Sequence, residues 1–170
     1  KVNNAAGLPA LKGITLDVHK GEILGVAGIS GNGQKELCEA IVGLKKVESG
    51  TVFLEDMKIS HLSPKAILQK GVRHIPEDRI TQGTISELSV SENLILGKHE
   101  KARYKKGWFM DYNAVKNDAE ELISHYDIKA LSHKTLAKTL SGGNLQKLIL
   151  ARELSSNPKV LVVNNPTNGL

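Results

Sequence analysis

The chain has 170 residues, 40% hydrophobic, 24% charged and only 4% aromatic, which fits one globular domain with a real core and excludes two large ones. No apolar run approaches the roughly 18 residues a membrane-spanning helix needs, no secretory signal is expected, and the single Cys38 excludes a disulfide framework and points to a cytosolic setting. A formal charge of +5 permits anionic partners such as nucleotide phosphates, lipid headgroups or nucleic acid without choosing among them. In chain order, Ile14 to Val18 alternates as a half-buried strand does, and Glu22 to Gly28 is more continuously apolar, as in a strand buried on both faces. A glycine-rich turn, Gly28 to Gly33, leads into a helical pattern in which Leu37, Ile41 and Leu44 share one face. Gly50 precedes a further strand, Thr51 to Leu54. Ser63-Pro64 reads as a helix start, with Ser as N-cap and Pro in the first turn, and Gly71 as its stop. Val72 to Ile75 is a short strand ending at Pro76.

From about Ser86 to Thr139 the signals are helical, with no strand expected. Asp111 to Tyr126 is amphipathic, with Val115, Ala119, Leu122 and Ile123 on one side, and Lys98 to Lys106 reads as a polar, basic connector. Strand character returns at Val160 to Val163. Helices alternating with short β-rich runs predict an α/β fold, a parallel sheet flanked by helices, and the strand-poor middle predicts an inserted helical lobe. The expected organisation is a core of residues 1–85 and 138–170 with a helical subdomain over 86–137.

Three stretches carry chemistry. Gly28-Ile29-Ser30-Gly31-Asn32-Gly33-Gln34-Lys35 stands between a strand and a helix. Its glycines let backbone N–H groups approach a ligand, and the helix behind it points its positive end at the loop. The common phosphate-loop pattern has two outer glycines followed by Lys and then Ser or Thr. Here Gly28 and Gly33 are present, but Gln34 and Lys35 follow, so a tight turn that binds nothing is an equal reading of the loop alone. Leu140-Ser141-Gly142-Gly143-Asn144 opens a second helix, with Leu145, Leu148, Ile149 and Leu154 as its apolar side. Ser141 is placed at the N-cap, and the glycines leave first-turn N–H groups uncovered. An ordinary serine cap is the alternative. Lys159 to Leu170 is an apolar strand ending in Asn164-Asn165-Pro166-Thr167.

The order of these motifs resembles the nucleotide-binding domain of ATP-binding cassette (ABC) proteins, across essentially the whole chain. The loop is similar to Walker A, L-S-G-G-N to the signature, and V-L-V-V-N-N-P-T to Walker B. Ile75-Pro76-Glu77-Asp78-Arg79 resembles a variant Q-loop, and Ser91 to Leu94 the element after it. G-N-G-Q and P-E-D-R resemble the second, C-terminal cassette of the tandem ATPase subunit of simple-sugar and nucleoside importers. The resemblance implies a P-loop NTPase (RecA-like) fold, C-terminally incomplete because the D-loop and switch His are absent. It implies ATP, held weakly in this chain's own site and shared across a dimer, with Mg²⁺ accompanying the nucleotide at the partner site, and nucleotide contacts from Gly28, Ser30, Gly31, Asn32, Gly33, Gln34, Lys35, Ser141, Gly142 and Gly143. Implied partners are a tandem N-terminal cassette or second ABC domain, transmembrane permease subunits and, indirectly, an extracellular solute-binding protein. No nucleic acid is expected, and the implied location is peripheral, at the cytoplasmic face of the membrane.

The departures fall on one site. Gln34 brings no charge where the family's Lys meets phosphate, and Lys35 is turned about 100° further around the helix. Lys35 also replaces the hydroxyl that ligates Mg²⁺, a cation that wants oxygen. Asn164 stands at the Walker B Asp position and Asn165 at the catalytic Glu position, where an amide cannot accept a proton. Glu77 stands at the Q-loop Gln position and could ligate a cation. No aromatic precedes Phe53 to stack on adenine, leaving Val2 or Leu8 as apolar contacts. The expectation is an importer ATPase domain, weak or inactive in hydrolysis on its own. Its Walker site is degenerate, and its intact signature serves the partner cassette. The alternatives are a soluble ABC-type ATPase in DNA repair or translation, and a non-hydrolytic nucleotide-binding scaffold.

Other residues invite plainer readings. His19, His61, His74, His99, His125 and His133 fall at no metal-ligand spacing, so no zinc site is expected. Cys38 reads as a buried small apolar residue. Lys98 to Lys106, with Trp108 and Phe109 just after, reads as a solvated connector or as a contact with a transmembrane subunit or anionic headgroups. Asp78 and Arg79 read as a local ion pair, or Arg79 as a contact with the partner domain.

Overall fold

In the computed structural model, which describes residues 1–3, 6–29 and 31–165, most helices begin where a capping side chain stands. The chain divides into two units after Val72. In the first, β1 (Val2–Asn3) pairs antiparallel with β2 (Pro9–Leu11). Helix α1 (Gln34–Ile41) buries Ala40 with Val2 and Leu11, and Leu37 and Val47 pack alongside. Leu44, expected on the same face, is exposed, because the helix has ended and Gly43 (φ 76°) turns the chain away. The strand expected from Thr51 is shortened to β3 (Phe53–Leu54), which forms a hairpin with β4 (Met57–Lys58). Helix α2 (Pro64–Gln69) starts where Ser63 Oγ accepts from Ala66 N–H at 3.3 Å, and Gly71 (φ 97°) follows its end.

The strands expected over 14–18 and 22–28 do not form. Both stretches are irregular, joined by a turn in which Glu22 N–H donates to His19 O at 3.0 Å. Ile14, Val18, Ile23 and Val26 are exposed, Ile23 at 97%. Apolar patterning decides which side chains share a face, but a strand also needs a neighbour for its N–H and C=O groups. No described strand pairs with either stretch.

The second unit begins at Arg73, within β5 (Val72–Ile75). Helix α3 (Val90–Leu94) follows, then a 3₁₀ turn at Ala102–Tyr104 and a hairpin of β6 (Lys105–Lys106) and β7 (Phe109–Met110). Helix α4 (Tyr112–His125) begins at Asp111, whose carboxylate accepts from the N–H groups of Asn113 and Ala114. A second 3₁₀ turn, Ala137–Thr139, precedes α5 (Gly142–Leu154), and β8 (Val160–Val163) pairs with β5. The core of this unit joins Val90 and Leu94 of α3, Ala119 and Leu122 of α4, and Leu145, Leu148 and Ala151 of α5.

Three expectations change here. The stretch read as strand-free contains the β6–β7 hairpin, whose two-residue strands are too short to show alternation and whose turn rests on Gly107 at φ 63°. The connector is anchored at both ends: Lys98 is buried and donates to Ser155 Oγ at 2.9 Å, and buried Tyr104 donates to Asp118. In α5, Leu154 is exposed, whereas Gln146, Arg152 and Glu153 are buried. Arg152 Nε donates to Glu153 Oε1 at 2.6 Å, and Arg73 Nη1 of β5 lies 3.8 Å from Glu153 Oε2. Paired charges therefore fasten the end of the helix to the strand.

Candidate functional site

In the first unit the glycine loop ends at Gly33, the N-cap of α1, at φ 98° with no side chain capping the first turn. A Cβ at Gly33 would stand 2.8 Å from Leu11 Cδ2 and 3.0 Å from Ala10 O, so only glycine lets the loop sit this close to β2. Gly31 (φ 90°) turns the loop, and Asn32 N–H donates to Ile29 O at 3.2 Å. Ser30 lies outside the described residues. Gln34 folds back over the loop. Its Nε2 donates to Ile29 O at 3.3 Å and packs against Gly28, where a Cβ would meet it at 2.2 Å. Lys35 runs along the helix instead, its Nζ 3.9 Å from Glu39 Oε1. What remains for an anion is the uncapped first turn of α1, a backbone cradle. Cys38, in the same helix, is half-buried, and burial pushes its thiol pKa up.

In the second unit the structure brings Glu77 and Asn165 together. Asn164 N–H donates to Ile75 O at 2.9 Å, extending the link between β5 and β8. Asn165 takes a left-handed backbone (φ 46°), and its Nδ2 donates to Glu77 Oε1 at 3.2 Å. One carboxylate thus faces an amide rather than a second acid. A divalent cation with hard-oxygen preference finds a poor donor set: no group of three His, Cys, Asp or Glu residues that could hold a metal occurs among the described residues. Among the described residues, Glu77 is the one acid that the structure places beside Asn165. Pro166 and Thr167 lie outside the described residues.

Ser141 caps α5. Its Oγ accepts from Asn144 N–H at 3.4 Å and from Asn144 Nδ2 at 3.0 Å, and Asn144 Oδ1 accepts from Lys129 N–H at 2.8 Å. Gly142 O accepts from Arg79 Nη1 at 3.2 Å, which places a guanidinium beside the first turn that carries Gly142 and Gly143. The Pro76-to-Thr84 turn that holds Arg79 is self-braced. Asp78 accepts from the N–H groups of Ile80 and Thr81 and from Thr81 Oγ1, and Thr84 Oγ1 donates to Arg79 O at 2.9 Å. Gly83 sits where a Cβ would meet Ile149 Cδ1 at 2.4 Å.

Sequence reasoning singled out Arg79 but not its contact with Gly142, named Asn144 within the signature but not its bonds to Ser141 and Lys129, and missed Asp127. Asp127 accepts from Lys129 Nζ at 2.5 Å and Lys147 Nζ at 2.9 Å. The hydrogen bond from Lys129, then that from Lys147, holds its pKa down to about 2. No local sequence pattern marks it; the structure places Asp127 in a left-handed turn (φ 50°) after α4.

Compared with known proteins, the chain matches the ABC transporter family over residues 11–168. It is 44% identical over 169 residues to the nucleoside import ATP-binding protein NupA of Lactococcus lactis subsp. cremoris, covering 99% of this chain and 33% of that protein. It is 42% identical over 166 residues to the glucose import ATP-binding protein TsgD13 of Haloferax volcanii, covering 96% of this chain and 30% of that one. The chain therefore spans about one third of the length of the curated relatives it matches. Among solved structures, a nucleotide-free ATP-binding cassette from an ABC transporter superposes with a TM-score of 0.75 at 27% identity, over 95% of this chain and 64% of that one.

Proposed function

The chain belongs to the ABC transporter family, and from that premise we propose that it is the nucleotide-binding part of an importer for a nucleoside or simple sugar and lends its signature to a partner cassette. Its fold is the P-loop NTPase fold of ABC ATPase cassettes, a parallel sheet with helices. In this reading the chain is the second of two tandem cassettes, with a core of residues 1–85 and 138–170 and a helical subdomain over 86–137. It works with transmembrane permease subunits and, through them, with a solute-binding protein, at the cytoplasmic face of the membrane. No helix among the described residues is long and apolar enough to cross a membrane. The names of the two relatives, one a nucleoside importer and one a glucose importer, support the solute class.

One observation carries the division of labour: Gln34 closes on Ile29 O, inside the loop that would otherwise receive phosphate. Lys35 is drawn to Glu39. Glu77 accepts from Asn165, so the position of the base holds an amide already engaged. ATP supplies the phosphates that such a fold binds, and this chain offers them backbone N–H groups near Gly31 and Gly33 without a directed charge. At the signature, Ser141 Oγ and the first-turn N–H groups of Gly142 and Gly143 remain donors for the terminal phosphate of ATP held by the partner cassette, and Arg79 fixes the Gly142 carbonyl.

The test is solute uptake by the assembled transporter in proteoliposomes. Ser141→Arg, which blocks the cap, is expected to abolish uptake, while Ser141→Thr, which keeps an Oγ, retains it. Asn165→Ala is expected to leave uptake close to wild type, where the loss of a working base would cost ~10²–10⁴ in rate. Equal losses from Ser141→Arg and Asn165→Ala would overturn the reading.

A further inference from the structure

We propose that the β6–β7 hairpin is a finger that seats on an anionic lipid surface. Its turn is Gly107-Trp108. Trp108 is 100% exposed and Phe109 is 81% exposed, and both are held out by a rigid base. Tyr104, buried at the root of the finger, donates to Asp118 of α4, and Arg103 pairs with the same carboxylate while lying 5.1 Å over the Tyr104 ring. Asp111 N–H donates to Tyr104 O at 2.9 Å, and Met110 packs against Ile95, Tyr104 and Val115. A mobile loop could fold its aromatics inward. This one is pinned with them outward, at the expense of leaving large apolar surface in water.

Charge surrounds the tip. Lys101, Lys105 and Lys106 are exposed, and Lys106 stands directly opposite Phe109 in the ladder, so cation and ring share one face of the finger. Of the nearby acids, Asp118 is engaged with Arg103 and Tyr104, and Asp111 with the first turn of α4, while Glu100 stays exposed beside the finger, so the three lysines outnumber it. A hollow of about 350 Å³ beside the finger is lined by His99, Lys105, Trp108 and Phe109 among others.

Area and chemistry favour a lipid surface over a protein partner. Two aromatic side chains offer about 300–500 Å² between them, below the ~800 Å² per partner of a stable protein interface. Interfacial seating needs no such area. Tryptophan belongs at the headgroup level, and lysines beside it add attraction to anionic lipid. The proposal stands apart from the nucleotide-site reading and does not use it.

Trp108 is the one tryptophan of the chain, which gives a direct probe. The full-length polypeptide would be mixed with phosphatidylcholine vesicles, with and without phosphatidylglycerol. Emission would be read as the difference between wild type and Trp108→Phe, and binding by flotation. Expected are a blue shift and co-flotation only with phosphatidylglycerol, both weakening as salt is raised. Lys105→Gln with Lys106→Gln is expected to lower binding roughly fivefold per lysine, and Trp108→Ala with Phe109→Ala to abolish it while the far-ultraviolet spectrum is unchanged. Equal binding to neutral vesicles, or no change in the lysine variant, overturns the proposal. So does a blue shift that appears only on assembly with permease subunits in lipid-free detergent, which would assign the finger to a protein partner.

Discussion

Lys98 is a single residue whose burial sets a pH dependence for the whole second unit. It is 4% exposed, and burial pushes its pKa down from 10.5 to about 8, against the opposing pull of Asp118. Between pH 8 and 10.5 an unfolded lysine keeps a proton that the folded one has released. The unfolded state then binds more protons, so stability rises with pH across that window. Below about pH 8 both states are charged, and the folded protein bears the full desolvation cost, on the order of 3 kcal/mol. Two groups act in the opposite direction. Burial, and then the bond to Asp118, pushes Tyr104 upward, so stability falls where an unfolded tyrosine ionises, near pH 10. Cys38, raised by burial, does the same from about pH 8.5. The informative quantity is therefore the difference between wild type and Lys98→Met. At neutral pH the Met variant is expected to be as stable as wild type or up to ~3 kcal/mol more stable. Its advantage should shrink as urea midpoints are taken from about pH 7.5 to about pH 9.5. An advantage independent of pH would mean that the lysine is not desolvated in the folded state.

Among the elements, α3 is too short to stand on helix propensity and is held instead by side chains and by the segment that follows α4. Ser89 and Glu92 form a capping box: Glu92 N–H donates to Ser89 Oγ at 3.2 Å and Ser89 N–H donates to Glu92 Oε2 at 2.8 Å. Val90 N–H donates to Thr135 O and Ser91 N–H to His133 O. Asn93 is fully buried; its Nδ2 donates to the carbonyls of Ile85, Leu88 and Ser89, and its Oδ1 accepts from Ile85 N–H at 2.9 Å. Removing a cap costs about 1 kcal/mol, whereas stranding several buried backbone groups costs about 3 kcal/mol. Asn93→Ala is therefore expected to lower the unfolding midpoint more than Ser89→Ala; the reverse order would mean that the box, and not the asparagine, holds the element. The caps at Ser63 and Ser141 were legible in the sequence because each acts within one turn, whereas those at Ser89 and Asp111 were not read. The strands read at 14–18 and 22–28 failed because pairing depends on residues far away in the chain, which periodicity does not report. Arg73, Arg152 and Glu153 were illegible for a related reason: charged residues read as solvent-facing until a partner from another element is seen. At the candidate site, Glu77 and Asn165 were each marked by motif, but the hydrogen bond between them spans 88 residues of sequence and could not be foreseen.

For the molecule as a whole, two surface properties compete. The net charge of +5 keeps copies apart, while Ile23, Val26 and Ile29, exposed at 97%, 56% and 79%, favour association. Burying one isoleucine side chain contributes about 1.5–3 kcal/mol. Repulsion among dispersed surface charges is screened beyond about 8 Å at physiological salt. Apolar attraction therefore wins, by a margin that grows with ionic strength. The 170-residue chain on its own is expected to bind a hydrophobic dye and to sediment as a concentration-dependent mixture, with more association in high salt. Ile23→Lys with Ile29→Lys removes the two most exposed apolar side chains of the 14–29 stretch and adds two charges, so it should shift the chain toward monomer and reduce dye binding. A monomeric, dye-silent 170-residue chain would mean instead that the 14–29 stretch is covered in solution.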